Sequence, residues 1–240
     1  MAIRGILFDK DGTIIDYWRT WVPINRQAAL YAAGGDQAVA NHLLRLGGHD
    51  PETDRIVPGT PLAAGDYLDI ARAFAAHPGV APAEKLAPGI ARVFREGGRG
   101  SALLPGVRET LAELKRRGFR LGIATNDTAD GLEASLAGHN ILRQFEFAAG
   151  CDSGYGAKPD PGMALAFCQA LSFEPDEIAV VGDAVHDLVM GRAAGVALNV
   201  GVLSGTSGRD DLASYADVIL DSINDMPARP EFLCGIISTA

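Results

Sequence analysis

A short apolar run, Ile3 to Phe8, stops at Asp9, and runs of the same kind do not return until after residue 100. Such runs, bounded by polar residues, suit the buried strands of a parallel sheet. Asp11-Gly12 marks a tight turn directly behind the first one. From Pro105 onward strand and helix patterns alternate. Helix is expected over Gly106–Arg117, Thr128–Ala137, Pro161–Leu171 and Asp187–Ala194. Strand is expected over Arg120–Thr125, Phe145–Ala149, Ile178–Gly182, Ala197–Val202 and Val218–Leu220. This alternation predicts an α/β fold with a doubly wound, Rossmann-like parallel sheet.

Between the first strand and the rest lies a different kind of sequence. From about Tyr17 to Glu96 it is rich in Ala, Leu and Arg at helical spacing. Three apolar faces stand out: Trp21, Ile24, Ala28 and Tyr31; Val39, Leu43, Leu44 and Leu46; Tyr67, Ile70, Ala71 and Phe74. Glycine and proline pairs separate them. The expected organisation is an α/β core from residues 1–15 and 101–240, with a helical cap domain, 16–100, inserted after the first strand. Ligands of open α/β sheets bind beyond the carboxyl ends of the strands. A module leaving the sheet just behind Asp9 would therefore sit over that mouth.

The bulk properties narrow the function. Of 240 residues, 48% are hydrophobic and 21% charged, as in an ordinary folded protein. The formal net charge of −9 repels nucleic acid and anionic lipid at long range, so neither is an expected partner. No apolar run is long enough to span a bilayer, and no signal peptide precedes the first strand. The three cysteines, Cys151, Cys168 and Cys234, show neither zinc spacing nor a disulfide framework. Reduced thiols and a cytoplasmic location are expected.

Four segments carry chemistry. In Asp9-Lys10-Asp11-Gly12-Thr13 two carboxylates lie two residues apart at a strand end. Like charges that close resist joint ionisation unless a cation sits between them, and Mg²⁺ beside a phosphate suits such oxygen ligands. The plain alternative is an acidic turn. Thr125-Asn126-Asp127 follows a strand and precedes a helix, where free amides bind phosphate oxygens, or where a hydroxyl simply caps the helix. Lys158-Pro159-Asp160-Pro161 holds a lysine on a restricted loop, where it can neutralise a phosphate or remain a solvated charge. In Gly182-Asp183-Ala184-Val185-His186-Asp187, Asp183 again ends a strand and Asp187 follows one helical turn on. These two would complete a metal site with Asp9 and Asp11, or merely cap and charge the helix start. All four segments fall on one edge of one sheet, and this conjunction favours a site.

Taken in order, DKDGT at Asp9, TN at Thr125, KPDP at Lys158 and GDAVHD at Asp183 resemble the haloacid dehalogenase superfamily, phosphatase branch, over essentially the whole chain. The phrase FDKDGTIID is also similar to phosphoglycolate phosphatase relatives. The resemblance implies hydrolysis of a small phosphorylated metabolite through an aspartyl-phosphate. It makes Asp9 the nucleophile and Asp11 the acid and then the base. It gives Thr125, Asn126 and Lys158 the phosphoryl group to hold. It assigns Mg²⁺ to Asp9, Asp183, Asp187 and the backbone carbonyl of Asp11. Two steps let one carboxylate attack while the other moves protons.

Alternatives are a phosphomutase of the same superfamily and a non-catalytic regulatory protein on the same scaffold. A carbon–halogen hydrolase would lack Asp11, and a phosphonatase would need a cap lysine, of which Lys85 is the sole candidate. Tyr17, Trp18, Arg19 and Trp21 are either a substrate-facing wall or helix packing, and packing is expected of the tryptophans. His186 is expected to be an exposed helix-start histidine. Arg55, Arg72 and His77 are polar insert residues that would suit a substrate carboxylate. The segment 232–240 is apolar enough to pack on the body or on a partner. The sequence does not fix the oligomeric state.

Overall fold

The computed structural model describes residues 3–233. Six strands form one sheet: β1 (Gly5–Phe8), β2 (Arg120–Ala124), β3 (Phe147–Ala149), β4 (Ile178–Gly182), β5 (Leu198–Val202) and β6 (Val218–Leu220). Their order is β3-β2-β1-β4-β5-β6 and every pairing is parallel. The order reverses at β1, because the chain runs outward to β3 and then returns to β4 on the other side. That reversal opens a crevice at the carboxyl ends of β1 and β4, where ligands of such sheets bind.

Both faces of the sheet are covered, which is why β1 and β4 are buried along their whole length. Side chains alternate between faces with the period of two. Ile6 and Phe8 join Ile123, Val181 and Val200 in one cluster, while Leu7 joins Ala124 and Val180 in another. The first cluster is closed by Val107, Leu111 and Leu114 and by Leu132 and Leu136. The second is closed by Met163 and Phe167 and by Met190. Phe232 is fully buried and stacks edge-on to Phe119, so this end of the apolar 232–240 segment packs on the body. Residues 234–240, with Cys234, lie outside the described residues.

Helices α1 (Tyr17–Ala32), α2 (Gln37–Leu46), α3 (Pro61–Ala64), α4 (Tyr67–Ala75) and α5 (Ala83–Gly98) make up the insert. Aspartates start three of them. Asp16 accepts from Arg19 N at 3.1 Å, Asp36 from Ala38 N at 2.8 Å, and Asp66 from Leu68 N at 2.8 Å. The three expected faces meet in a cluster of their own, built on Trp21, Ile24, Leu43, Leu44, Ile70 and Phe74. Two of the expected members, Tyr31 and Leu46, are exposed instead. A fourth face, Leu86, Ile90 and Phe94 on α5, completes the cluster. Pro88-Gly89 lies inside α5. Gly89 belongs there because the Tyr31 ring covers it, and a Cβ would come 2.0 Å from the Tyr31 hydroxyl oxygen.

The helices of the remaining chain are α6 (Val107–Arg116), α7 (Ala129–Ala137), α8 (Gly162–Leu171), α9 (Val185–Ala194) and α10 (Arg209–Leu212). The expected elements are present with ends trimmed by at most two residues, except that α9 starts two residues early. Insert and sheet are joined where the chain leaves and returns. Asp16 N donates to Ala102 O at 2.8 Å, and Leu104 N donates to Ile14 O at 3.0 Å. At its carboxyl end α5 lies on α7, with Gly98 so close to Ser135 that a Cβ would come 2.7 Å from the hydroxyl oxygen. The insert is thereby held over the carboxyl edge of the sheet.

Candidate active site

Register puts the chemistry-bearing residues side by side. Phe8 pairs with Ile123 on one flank and Val181 on the other. Asp9 therefore leaves β1 beside Thr125 and Asp183, which leave β2 and β4. The Asp9 backbone is tied in place by its N–H to Val181 O at 2.8 Å. Asp9, Thr125, Lys158, Asp183 and Asp187 are all buried.

Carboxylate oxygens of Asp9, Asp183 and Asp187 lie within 4.8 Å of one another. The Lys158 ammonium donates to Asp9 Oδ1 at 2.5 Å and to Asp187 Oδ1 at 2.7 Å. Burial drives the Asp9 carboxyl up to about 7, against the pull of Lys158, and Asp187 and Asp11 add to the rise. Burial, with Asp9 and Asp187 nearby, also holds Asp183 well above the ordinary carboxylate range. Asp187 goes the other way. Burial works to raise it, but His186 and Lys158 hold it low. Burial would lower Lys158, yet Asp187 and Asp9 outweigh it and keep the ammonium charged. Asp187 also accepts from Ala184 N at 3.1 Å, so the expected helix-start role and the site role fall to one side chain. Asp183 caps nothing. It accepts from Thr206 N at 2.7 Å.

The Asp11 carboxylate is not in this cluster. Sequence spacing suggests that Asp9 and Asp11 face one cation, but Asp11 turns away because better partners exist. Its oxygens meet Trp21 Nε1 at 2.5 Å and Lys10 Nζ at 3.0 Å. Lys10 is fully buried and also donates to Asp127 Oδ2 at 2.8 Å. Burial raises the Asp11 carboxyl, and Lys10 counters it. The Trp21 ring packs edge-on against Phe94 at 5.0 Å while its N–H serves Asp11, so packing is half of its role. Tyr17 is buried as well, whereas Trp18 is exposed.

Asn126 departs from its expected contact with phosphate. Its Nδ2 donates to Ala64 O at 3.0 Å and Lys158 O at 3.1 Å, and its Oδ1 accepts from Lys158 N at 2.8 Å. With both amide hydrogens committed to backbone carbonyls, the side chain clamps the lysine loop to the insert. Thr125 is not the helix cap either. Thr128 is, accepting from Gly131 N at 3.0 Å. The Thr125 hydroxyl oxygen accepts from Asp127 N at 3.1 Å. His186 is half-buried, 3.4 Å from Asp187, rather than an exposed histidine.

Between this edge and the insert lies a cavity of about 60 Å³. Asp9, Asp11, Thr125, Asp183 and His186 line its floor, and Trp21, Tyr67 and Phe94 its upper wall.

The family model described as haloacid dehalogenase-like hydrolase matches residues 3–195, most of the chain. The chain belongs to the haloacid dehalogenase-like hydrolases. It is 28% identical over 244 residues to the phosphoglycolate phosphatase of Escherichia coli (strain K12), covering 93% of this chain and 91% of the relative. Its fold is similar to the crystal structure of CbbY from Rhodobacter sphaeroides in complex with phosphate, with TM-score 0.68, 23% identity, and 93% and 96% of the two chains covered. A hydrolase from Pseudomonas syringae matches with TM-score 0.70 and 22% identity, covering 96% and 99%.

The residues of this haloacid dehalogenase-like hydrolase fit a Mg²⁺ ion. Asp9 Oδ2 is buried and has no hydrogen-bond partner, among three carboxylates whose donors are all oxygen. Two of those carboxyls are pushed toward protonation by burial and, less, by their carboxylate neighbours, and a divalent cation would favour the ionised forms. Close packing keeps them aimed. A Cβ on Gly182 would come 2.3 Å from Asp187 Oδ2, and one on Gly205 would come 1.8 Å from Asp183 Oδ2.

Sequence reasoning missed Lys10, Asp127, Gly205 and Thr206. Lys10 sits inside the first motif and looks like its one solvated member. Gly205 and Thr206 follow β5, a third apolar run ending at the same edge, and that placement was the available signal.

Proposed function

We propose that this hydrolase is a Mg²⁺-dependent phosphatase of small phosphate monoesters that works through an aspartyl-phosphate on Asp9. The observation that carries the reading is the unpartnered Asp9 Oδ2, held at the sheet's switch point by Lys158 on the other oxygen. Residues 1–15 and 101–240 serve as the catalytic core, and residues 16–100 as the cap that closes over it. The free thiols of Cys151 and Cys168 support the expected cytoplasmic setting.

The first step forms a bond from an Asp9 oxygen to phosphorus and breaks the bond from phosphorus to the ester oxygen. The departing oxygen takes a proton from Asp11, whose carboxyl is raised by burial and so retains one more readily. Asp11 then accepts a proton from water as the water oxygen attacks the phosphoryl-aspartate, which releases phosphate and restores Asp9. Lys158 balances charge at Asp9 throughout, and Thr125 stands at the neighbouring strand end to meet a phosphoryl oxygen. Mg²⁺ held by Asp9, Asp183 and Asp187 would neutralise charge on the phosphoryl group.

Purified protein with Mg²⁺ is expected to release phosphate from para-nitrophenyl phosphate, and Asp9→Asn to abolish that release. The phosphoglycolate phosphatases among its relatives make phosphoglycolate one substrate to include. A wild-type protein that releases nothing from any ester, with or without Mg²⁺, would sink the reading.

A further inference from the structure

Lys158 reaches Asp9 from a stretch of chain with little regular structure to hold it. Residues 150–161, between β3 and α8, form neither strand nor helix. Pro159 and Pro161 supply no N–H with which to anchor it. Yet the lysine ammonium is fully buried and meets Asp9 Oδ1 at 2.5 Å and Asp187 Oδ1 at 2.7 Å. A flexible four-carbon stem puts its charge at one point only if its backbone end is fixed as well.

That end is fixed by Asn126. Both backbone polar groups of Lys158 meet this one side chain. The N–H donates to Asn126 Oδ1 at 2.8 Å, and the carbonyl accepts from Nδ2 at 3.1 Å. Asn126 is itself tied to the sheet through its neighbour, since Thr125 N donates to Ala149 O at 3.0 Å. The second Nδ2 hydrogen goes to Ala64 O at 3.0 Å. The opposite orientation of the amide would set its oxygen against two carbonyls, so the three bonds fix it one way round.

Ala64 is the last residue of α3, where helix carbonyls lack partners of their own. Leu62, Ala63, Ala64 and Gly65 also line the cavity above Asp9. The α3 segment is held to the rest of the insert by Leu62 N to Gly47 O at 3.0 Å and by the Tyr17 hydroxyl to Leu62 O at 2.5 Å. One amide thus joins three parts of the molecule: the sheet edge, the insert and the lysine loop.

We propose that Asn126 is a positioning residue for the hydrolysis, setting Lys158 against Asp9 while taking its own bearing from Ala64, so that the lysine is fully placed only when α3 is seated on the sheet edge. The proposal rests on the phosphatase reading and gives the insert a part in the chemistry besides covering it. A merely structural asparagine would brace the loop without affecting the reaction, and an asparagine that held phosphate would act on binding.

The test compares the full-length parent with Asn126→Ala in two measurements. Hydrogen exchange is followed in 157–161, where only Ala157, Lys158 and Asp160 carry amide hydrogens, and in 61–66. Release of phosphate from para-nitrophenyl phosphate with Mg²⁺ gives kcat and KM. Exchange is expected to rise by about 10-fold in 157–161, as one hydrogen bond is lost, and to rise in 61–66 as well. The kcat is expected to fall by about 10- to 100-fold with KM moved far less, as for a misplaced catalytic group. Asn126→Asp keeps the shape and the acceptor for Lys158 N but turns an acceptor toward Ala64 O. It is expected to loosen 61–66 and to lower kcat too. An unchanged kcat in either folded variant overturns the proposal, as does exchange that rises in 157–161 alone after Asn126→Ala. A raised KM and weaker inhibition by inorganic phosphate, with 157–161 still protected, would make Asn126 a phosphate ligand and overturn it equally. Each of these leaves the phosphatase reading intact, whereas a parent protein that releases no phosphate from any ester removes both.

Discussion

Trp21 Nε1 donates to Asp11 Oδ1 across 2.5 Å, so the first helix of the insert reaches down to the carboxylate proposed to move protons. The same ring packs on Phe94 of α5. Geometry of the insert and orientation of Asp11 are therefore set by one side chain.

Trp21→Phe keeps the packing and removes the donor. A hydrogen bond to a charged group is worth about 1.5 kcal/mol or more, so kcat is expected to fall by about 10-fold or more. The melting temperature should move little. Steady-state kinetics beside a thermal melt separates the two, and an unchanged kcat would show that Asp11 does not depend on Trp21.

Lys10 is the shared cation of Asp11 and Asp127 and is fully buried. Lys10→Met strands both carboxylates, each of which lines the cavity. Breaking a buried ion pair from one side costs about 3–5 kcal/mol. For a chain of this size that corresponds to a fall in melting temperature on the order of 10 °C. Chemical denaturation of the variant checks the figure, and stability equal to the parent would mark Lys10 as dispensable to the fold.

Gly205→Ala would thrust a Cβ to 1.8 Å from Asp183 Oδ2. Either the loop or the carboxylate must shift. Disturbing a group that orients a ligand lowers metal affinity by about 10- to 100-fold. Calorimetric titration with Mg²⁺ measures the change. Affinity like that of the parent would exclude Asp183 from the metal site.

Metal binding should also depend on pH. Asp9, raised from 3.8 to about 7 by burial, keeps a proton in the metal-free fold that the unfolded chain has released. Asp183 is raised likewise. Between these two values the native state binds more protons, so these groups make the metal-free protein less stable as pH rises through the window. Asp187, held low, titrates below it. Mg²⁺ requires the ionised forms and competes with those protons. The rise in melting temperature on adding Mg²⁺ is thus expected to be small near about pH 5 and to reach its full size above about pH 7. A rise that is the same across this range would count against Asp9 as a ligand.

Much of this site could be read directly from the order of residues. Asp9, Thr125, Lys158 and Asp183 each sit at a point where an apolar run or a proline-flanked loop ends, and parallel sheets bring such points to one edge. The insert was legible as helical because its apolar residues recur every three or four positions. The partners of the Asn126 side chain are not legible in this way, because an amide after a strand is equally suited to anion or carbonyl, and only the position of Ala64 and Lys158 decides which it meets. The role of Lys10 depends on Asp127, 117 positions on, whose carboxylate lies 2.8 Å from its ammonium.

By itself the sequence determined the alternation of elements, the helical insert behind β1, and the set of acidic strand ends, because periodicity and local chain-breaking residues are written along the chain. The tertiary structure alone decided which carboxylates share a cation's place and which share a lysine. It also decided that Trp21, Tyr67 and Phe94 of the insert line the cavity above Asp9. Those outcomes depend on which side chains of distant segments arrive in the same few ångströms, and the energies of burial and ion pairing that choose among them exist only once the segments have met.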